Sequence, residues 1–262
     1  MRYLFNPACD TVLPDLLANR PLLAFDFDGT LAPLVERPAA ARIPDGTAAR
    51  LRELASRHPV VVISGRGLDD LCPRVAGIPL AGLSGNHGIE PWGATPEIER
   101  VVAGWVEALR RAFDGVEGLE IQDKRWSVTV DYRHAPDLEG VARRLCAFAR
   151  TLPNVRLLGG RHADLSLAPA GSCTKGTALL AHLRELGCRT ALYVGDDRTD
   201  EDVFGLDLPG LVSVRIGQKS GSRAGYFLHD QKEIDRLLDR LLALTADGRD
   251  LSTASPAPSR HP

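Results

Sequence analysis

The chain of 262 residues is 44% hydrophobic and 25% charged, which is the composition of a globular protein with a buried core. Its formal net charge of −2 excludes the basic surface of a protein that binds nucleic acid or an anionic membrane. Five cysteines without a CxxC pair argue against a disulfide framework or a zinc site, and no apolar run is long enough to span a bilayer. We therefore expect a cytoplasmic protein that is a monomer or a weak oligomer.

The first ninety residues alternate short apolar runs with helical patterns. Buried strands are predicted at residues 22–25, 60–63 and 80–83, and helices at 45–56 and near 68–75. This β-α-β-α-β order is typical of parallel strands joined by right-handed crossovers, with helices on both faces of the sheet.

The pattern changes after a turn-rich segment at residues 93–96. The order becomes α-β-β-α-β-β, and Gly159-Gly160 between the last two strands is a hairpin signal. Two helices are predicted at 97–113 and 138–150, and three of the four strands at 126–132, 155–158 and 163–167. We expect an antiparallel sheet that is covered by helices on one side.

The parallel pattern returns with a helix at 174–186, a buried strand at 190–194 and a C-terminal helix at 233–244. The fold class is therefore α/β, with a discontinuous parallel-sheet core and an inserted α+β domain. The predicted units are a core at 1–93 and 170–246, an insertion at 94–169, and a disordered tail at 247–262, which is rich in Ser, Pro and Ala.

Four polar clusters follow the predicted core strands or precede a core helix. They are Asp-Phe-Asp-Gly-Thr at 26–30, Ser-Gly-Arg at 64–66, Lys-Gly at 175–176 and Gly-Asp-Asp at 195–197. In an open parallel sheet the ligand crevice lies outside the carboxyl ends of the strands. The four clusters are therefore expected to meet at one site.

The residue types in these clusters suit phosphate chemistry. Asp26 and Asp28 alternate along the chain, so one carboxylate can act as a nucleophile while the other moves protons. Asp196 adds a third carboxylate, and grouped hard oxygen ligands suit Mg²⁺. The hydroxyl of Ser64 and the ammonium of Lys175 are suited to hold a phosphate group.

These clusters resemble the four motifs of the haloacid dehalogenase (HAD) superfamily. Two stretches narrow the resemblance to its trehalose-6-phosphate phosphatase family: Gly-Asn-His-Gly-Ile-Glu at 85–90, and 195–204, which is similar to the family's GDDxTDEDxF motif. The resemblance covers about residues 22–242. It implies a HAD-like Rossmannoid parallel-sheet core with an inserted, type C2B-like α+β cap domain.

The resemblance also implies the activity, which is Mg²⁺-dependent hydrolysis of trehalose 6-phosphate. Asp26 would form an aspartyl-phosphate, and Asp28 would protonate the departing sugar oxygen and activate water. The implied phosphate-binding residues are Ser64, Gly65 and Lys175, and the implied metal ligands are Asp26, Asp28, Asp196, Asp197 and Asp200. The implied substrate-binding residues are Arg66, Asn86, His87, Lys124 and Arg133. The expected partners are a small-molecule sugar phosphate and, by functional coupling, a trehalose-phosphate synthase.

Several of these residues also fit plainer roles. Thr199 can cap the next helix, with Asp202 completing an approximate capping box. His87 fits an ordinary core or surface histidine, and Lys124 and Arg133 fit exposed charges on a hairpin. Trp105 fits a helix core better than a platform for a sugar.

One departure from the family pattern bears on the substrate. The family usually has Glu-x-Arg/Lys-Pro on the last cap strand, whereas Ser166-Leu167-Ala168-Pro169 stands here without either charge. Asp164 lies two residues earlier on the same strand face and is expected to supply one carboxylate to the sugar. The alternative substrates to trehalose 6-phosphate are glucosylglycerol phosphate and mannosylglycerate phosphate. The alternative functions are a phosphomutase reaction and a non-catalytic sugar-phosphate sensor.

Overall fold

The computed structural model of the chain describes residues 1–159 and 163–250. Its strands are β1 (Arg2–Tyr3), β2 (Leu22–Phe25), β3 (Val60–Ile63), β4 (Gly82–Ser84), β5 (Glu120–Asp123), β6 (Val128–Asp131), β7 (Val155–Gly159), β8 (Asp164–Pro169), β9 (Ala191–Gly195), β10 (Leu211–Ile216) and β11 (Tyr226–Leu228). Its helices are α1 (Val12–Leu17), α2 (Asp45–Ala55), α3 (Leu68–Arg74), α4 (Pro96–Ala112), α5 (Leu138–Ala149), α6 (Lys175–Glu185), α7 (Glu201–Phe204) and α8 (Glu233–Asp250).

The core contains a parallel sheet with the strand order β1-β11-β10-β9-β2-β3-β4. Side chains alternate across it: Leu23 and Phe25 of β2 pack with α1, α2, α3 and α8, whereas Leu22 and Ala24 pack with α6 and α7. Both faces are therefore covered by helices, and the predicted α/β fold class is confirmed.

A second sheet lies between β4 and α6 in the chain, and we call this inserted unit the cap. Its strands are antiparallel in the order β5-β6-β8-β7. Val128, Val130, Leu165 and Leu167 pack against α4 and α5 on one face, together with Trp105, which is 2% exposed. Trp105 is thus part of a helix core, as expected. The opposite face of the sheet carries polar side chains and is the one that lines the site.

The predicted elements agree with the observed ones except in a few places. The third core strand is Gly82–Ser84 rather than 80–83, and the last helix continues to Asp250 rather than ending at 244. Residues 247–250 of the expected disordered tail are thus helical, and 251–262 lie outside the described residues. The hairpin expected at Gly159-Gly160 pairs β7 with β8, although residue 160 also lies outside the described residues. The domain bounds at 94 and 169 stay a prediction.

Candidate active site

The four predicted clusters meet at the carboxyl ends of β2, β3 and β9 and at the first turn of α6. There they form the floor of a cleft of about 800 Å³, and the polar face of the cap sheet forms the opposite wall. The topology explains this meeting, because parallel neighbouring strands present their carboxyl ends at the same edge.

A glycine at position 29 allows two of these strand ends to approach each other. Gly29 has φ of +78°, a left-handed conformation that glycine adopts without steric cost. A Cβ atom at this position would lie 1.9 Å from Oδ2 of Asp196. The glycine of the Asp-Phe-Asp-Gly-Thr cluster therefore makes room for the carboxylate that follows β9.

Lys175 lies at the centre of a buried charge cluster. Its Nζ is 2.9 Å from Oδ1 of Asp26 and donates a 2.8 Å hydrogen bond to Oδ1 of Asp200. Tyr193 donates to the same Asp200 oxygen at 2.7 Å, and the backbone N–H groups of Asp196 and Asp197 donate to Oδ2 at 2.8 and 2.7 Å. Asp200 is thus held in one orientation and in turn holds Lys175 beside Asp26.

Burial shifts the charge equilibria of this cluster. Burial raises the pKa of Asp26 well above its usual value, and Lys175 only partly opposes the shift. Burial alone would lower the pKa of Lys175, but Asp200 and Asp26 outweigh it and the net shift is upward. Burial would raise the pKa of Asp200, yet the contacts with Lys175 and Tyr193 outweigh it and the net shift is downward. Lys175 is therefore a permanent cation between two acids.

A metal ion fits part of the predicted ligand set. Oxygens of the buried carboxylates of Asp26, Asp196 and Asp200 lie within 4.8 Å of one another. The side chains of Asp28 and Asp197 do not belong to this group, although both line the cleft. Three grouped carboxylates offer hard oxygen donors of the kind that suits a divalent cation.

The side chain of Asp28 is held by Arg66. The guanidinium donates from Nε to Oδ2 and from its second terminal nitrogen, NH2, to Oδ1, both at 2.7 Å. Arg66 also donates to Asp70 at 2.5 Å and to the carbonyl of Pro38 at 2.9 Å. The sequence predicted that Arg66 binds the substrate; its guanidinium lines the cleft and contacts a candidate catalytic carboxylate, and the binding role stays a prediction.

His87 and the residues after β3 lie close together. Gly65 packs directly on the His87 ring, since a Cβ there would lie 2.5 Å from Cε1. Ser64 is fully buried, and its hydroxyl accepts a hydrogen bond from the backbone N–H of Arg66 at 3.1 Å. Neither ring nitrogen of His87 has a hydrogen-bond partner among the described residues, although the side chain is only 8% exposed. Burial, with help from Lys124 and Lys175, lowers the pKa of His87 well below its usual value.

Asn86 and Lys124 join the core to the cap. The amide nitrogen of Asn86 donates to Glu90 at 2.7 Å and to the carbonyl of Lys124 at 3.1 Å, and its oxygen accepts from Ser127 at 2.5 Å. Lys124 Nζ donates to the carbonyl of Gly65 at 3.1 Å. Burial, followed by the nearby Arg66, lowers the pKa of Lys124. Lys124 therefore reaches the site floor from the β5–β6 hairpin and is not an exposed surface charge.

The cap sheet presents two cross-strand polar pairs to the cleft. Asp131 lies opposite Asp164, and Thr129 lies opposite Ser166, with 2.7 Å between the two hydroxyl oxygens. Arg133 lies two residues past β6, outside the β5–β6 hairpin, and pairs with Asp131 at 2.8 Å. Its other terminal nitrogen donates to the carbonyl of Glu36 at 2.8 Å. Asp164 and Ser166 therefore share the site-facing side of β8, as the alternation along this strand predicted.

The capping role considered for Thr199 is wrong. The residue before α7 is Asp200, and its side chain makes no capping hydrogen bond to the helix. That carboxylate instead accepts hydrogen bonds from Lys175, Tyr193 and the backbone that follows β9, so the helix start is used to build the site.

Three residues that help to form the site did not follow from the sequence. They are Tyr193, Asp131 and Asp70. Tyr193 lies in a buried strand, and nothing in an apolar run signals that one hydroxyl is used. Asp131 could have been found, because it alternates in phase with Thr129 on a strand that was already predicted. Asp70 lies four residues after Arg66, a spacing typical of a helical ion pair.

The parallel core and the inserted cap give the chain the fold of a HAD sugar phosphatase that is among the solved structures similar to it. The family model for trehalose-phosphatase matches residues 24–224, and the chain belongs to that family. Within residues 1–159 and 163–250, no helix has the length and apolar character needed to cross a membrane.

The most informative relatives differ in length from this chain. The trehalose-phosphate phosphatase of Mycobacterium tuberculosis is 33% identical over 249 residues, covering 86% of this chain and 62% of that protein. An uncharacterized glycosyl hydrolase of the same species is 37% identical over 206 residues, covering 72% of this chain and 15% of that protein. The chain thus spans less than two thirds of either relative.

A solved structure shows the same fold. The C-terminal domain of the Candida albicans trehalose-6-phosphate phosphatase is similar to this chain with a TM-score of 0.75 and 22% identity. The match covers 93% of this chain and 99% of that one, so it includes both the core and the cap.

Proposed function

We propose that this chain hydrolyses trehalose 6-phosphate to trehalose and inorganic phosphate, with Mg²⁺ and through an aspartyl-phosphate. The observation that carries the proposal is the buried contact of Lys175 with both Asp26 and Asp200 at the carboxyl ends of β2 and β9. A binding protein has no need of a buried nucleophile beside a fixed cation, so the arrangement supports catalysis over a sensor role. Membership of the trehalose-phosphatase family supports the substrate.

The proposed reaction has two steps. A carboxylate oxygen of Asp26 bonds to phosphorus while the bond from phosphorus to the sugar oxygen breaks, and Asp28 gives that oxygen its proton. Water then attacks the aspartyl-phosphate, Asp28 takes back a proton, and phosphate leaves with the Asp26 carboxylate restored. Lys175, Ser64 and Gly65 are the proposed contacts of the phosphoryl oxygens, because Lys175 contacts Asp26, Gly65 lines the cleft, and the buried Ser64 directly precedes Gly65.

The proposed Mg²⁺ would be held by the carboxylates of Asp26 and Asp196 and by the backbone carbonyl of Asp28. When bound, such a cation polarises phosphoryl oxygens and stabilises the charge that develops on them. Both oxygens of Asp200 already accept hydrogen bonds, so we assign Asp200 to the positioning of Lys175 rather than to direct ligation. Asp197 lines the cleft next to this group and is proposed to contribute charge.

The proposed sugar contacts come from both walls of the cleft. His87 is favoured because its ring lines the cleft with both nitrogens available for hydrogen bonds. Lys124, Arg133 and Asp164 contribute from the cap. Asn86 is assigned a supporting role, since its amide already binds Glu90 and the backbone of Lys124.

A second candidate substrate class rests on the cap strand β8. Ser166 and Ala168 stand where the resemblance places charged residues, and the Ser166 hydroxyl is paired with Thr129. A site changed at this strand fits another glycosyl phosphate, such as glucosylglycerol phosphate, with the same chemistry at phosphorus.

The test measures phosphate release from trehalose 6-phosphate and a panel of other glycosyl phosphates, with Mg²⁺ and with EDTA. Asp26→Asn is the control for contaminating phosphatases. A Mg²⁺-dependent preference for trehalose 6-phosphate is the expected result. Preference for another member moves the substrate to the second class, transfer of phosphate to a sugar hydroxyl without net release indicates a mutase, and binding without turnover indicates a sensor.

A further inference from the structure

Arg66 is the most extensively bonded charged side chain at the cleft that the phosphoryl-transfer steps above leave without a role. It follows β3, and its side chain is 10% exposed. Four of the five N–H donors of its guanidinium bind protein acceptors: two bind Asp28, one binds Asp70 and one binds the carbonyl of Pro38. Such a group is built into the site, and its bonding capacity toward a ligand is largely used.

We propose that Arg66 is a positioning residue for Asp28, which fixes this carboxylate in the orientation for proton transfer to the leaving group. The inference rests on the proposed acid/base role of Asp28. The contact is a two-point fork, with Nε on Oδ2 and the terminal nitrogen NH2 on Oδ1, both at 2.7 Å. Two parallel hydrogen bonds fix both the position and the plane of a carboxylate, which a single bond does not do.

Asp28 needs such a device because of where it lies. Its side chain is 35% exposed, whereas that of Asp26 is 6% exposed and is held by Lys175. A half-buried aspartate rotates among its rotamers unless a partner holds it. A displacement of about 1 Å at a reacting group can lower a rate about 10²-fold.

Arg66 is itself held rigidly, which is what a positioning residue requires. Asp70 binds Arg66 on one side and Arg74 on the other, and Arg74 donates further to the carbonyl of Ala41 at 2.7 Å. The guanidinium also lies 5.3 Å from the centre of the ring of Phe27, which is the residue between Asp26 and Asp28 in the sequence. The orientation of Asp28 is thus tied to α3 and to the loop that contains Pro38.

Substrates with different leaving groups distinguish the positioning of Asp28 by Arg66 from a role of Arg66 in sugar binding. Phenyl phosphate needs a proton donor as phenolate departs, whereas p-nitrophenyl phosphate releases a stabilised anion that departs without one. The value of kcat/KM reports the steps up to departure of the leaving group. We expect Arg66→Gln to lower kcat/KM about 10²-fold for phenyl phosphate and less than about threefold for p-nitrophenyl phosphate. Neither substrate contains a sugar.

A double-mutant cycle makes the test specific. In an Asp28→Asn background the further change Arg66→Gln is expected to lower single-turnover release of phenol less than about twofold, because the group that Arg66 positions is already inactive. Arg66→Lys restores one hydrogen bond without the fork and is expected to recover only part of the loss. Arg50→Gln is the matched control, since it breaks an arginine ion pair with Asp239 outside the cleft.

Three results would overturn the inference. They are equal losses on the two aryl phosphates, a full additional loss in the Asp28→Asn background, or a defect of Arg66→Gln confined to KM for the sugar phosphate. The thermal unfolding midpoint of each variant is measured alongside, so a failure to fold is visible. If trehalose 6-phosphate is not the substrate, only the panel of glycosyl phosphates shows it. The comparison of the two aryl phosphates is unaffected, because neither contains a sugar.

Discussion

The phosphoryl site of the core and the polar face of the cap hold their charges in different ways. In the core, Asp26, Lys175 and Asp200 are almost completely buried and bind one another through short contacts. On the cap, Asp164 is half-buried, and Arg133 pairs with a neighbour two residues away in its own chain segment. Loss of the shared cation Lys175 is therefore expected to destabilise the whole core cluster, whereas cap residues are expected to change individually and to tune the choice of sugar.

The largest effect is expected when the nucleophile is removed. Asp26→Asn cannot form an acyl phosphate, so turnover should fall about 10⁴-fold or more. The fold should survive, because the amide oxygen can still accept a hydrogen bond from Lys175 and one of three clustered negative charges is lost. Phosphate release and the thermal midpoint would be measured together. Retained activity above the level of a mock purification would refute the assignment of Asp26.

A stability measurement tests whether the core cluster acts as a unit. Lys175→Met leaves Asp26 and Asp200 buried without their cation, and breaking such a buried pair costs about 3–5 kcal/mol. The free energy of unfolding would be measured by urea denaturation in EDTA, so that no metal replaces the lost charge. A cost below about 1 kcal/mol would show that the cluster tolerates its excess charge.

The matched variant for this experiment changes the partner as well. Lys175→Met combined with Asp200→Asn removes one of the two stranded charges, and we expect the double variant to be more stable than Lys175→Met alone. Simple additivity of the two single changes would contradict a coupled cluster.

Two glycines with similar backbone angles isolate the effect of the Asp196 carboxylate. Gly29 has φ of +78° and Gly187 has φ of +66°, so alanine is strained at both positions by about 1 kcal/mol or more. A Cβ at 187 meets nothing within 4 Å, whereas at 29 it collides with Asp196. Gly29→Ala should therefore raise the Mg²⁺ concentration for half-maximal activity about tenfold, and Gly187→Ala should leave it unchanged. If the two variants need the same Mg²⁺ concentration for half-maximal activity, Asp196 does not bind the metal.

Sequence patterns predicted that the four core clusters meet at one edge of the sheet. The clusters around Asp26, Ser64, Lys175 and Asp196 each follow a buried strand or begin a helix, and the rule that parallel strands end at one edge brings them together. The partners within the site did not follow from that rule. The fork between Arg66 and Asp28 and the bond from Tyr193 to Asp200 join residues whose approach depends on side-chain packing, which no spacing in the chain encodes.

The smallest expected effect is that of a single cap residue, and it tests whether cap residues tune the choice of sugar individually. Asp164→Ala removes a carboxylate from the site-facing side of β8 without opening the buried face of that sheet, so the fold should be retained. Loss of one hydrogen bond from a sugar hydroxyl to a carboxylate corresponds to a rise in KM of about tenfold, with kcat nearly unchanged. Asp114→Ala, which removes an exposed cap carboxylate outside the cleft, is the control. Hydrolysis of p-nitrophenyl phosphate should be the same in both variants, and an unchanged KM for the sugar phosphate would remove Asp164 from the sugar site.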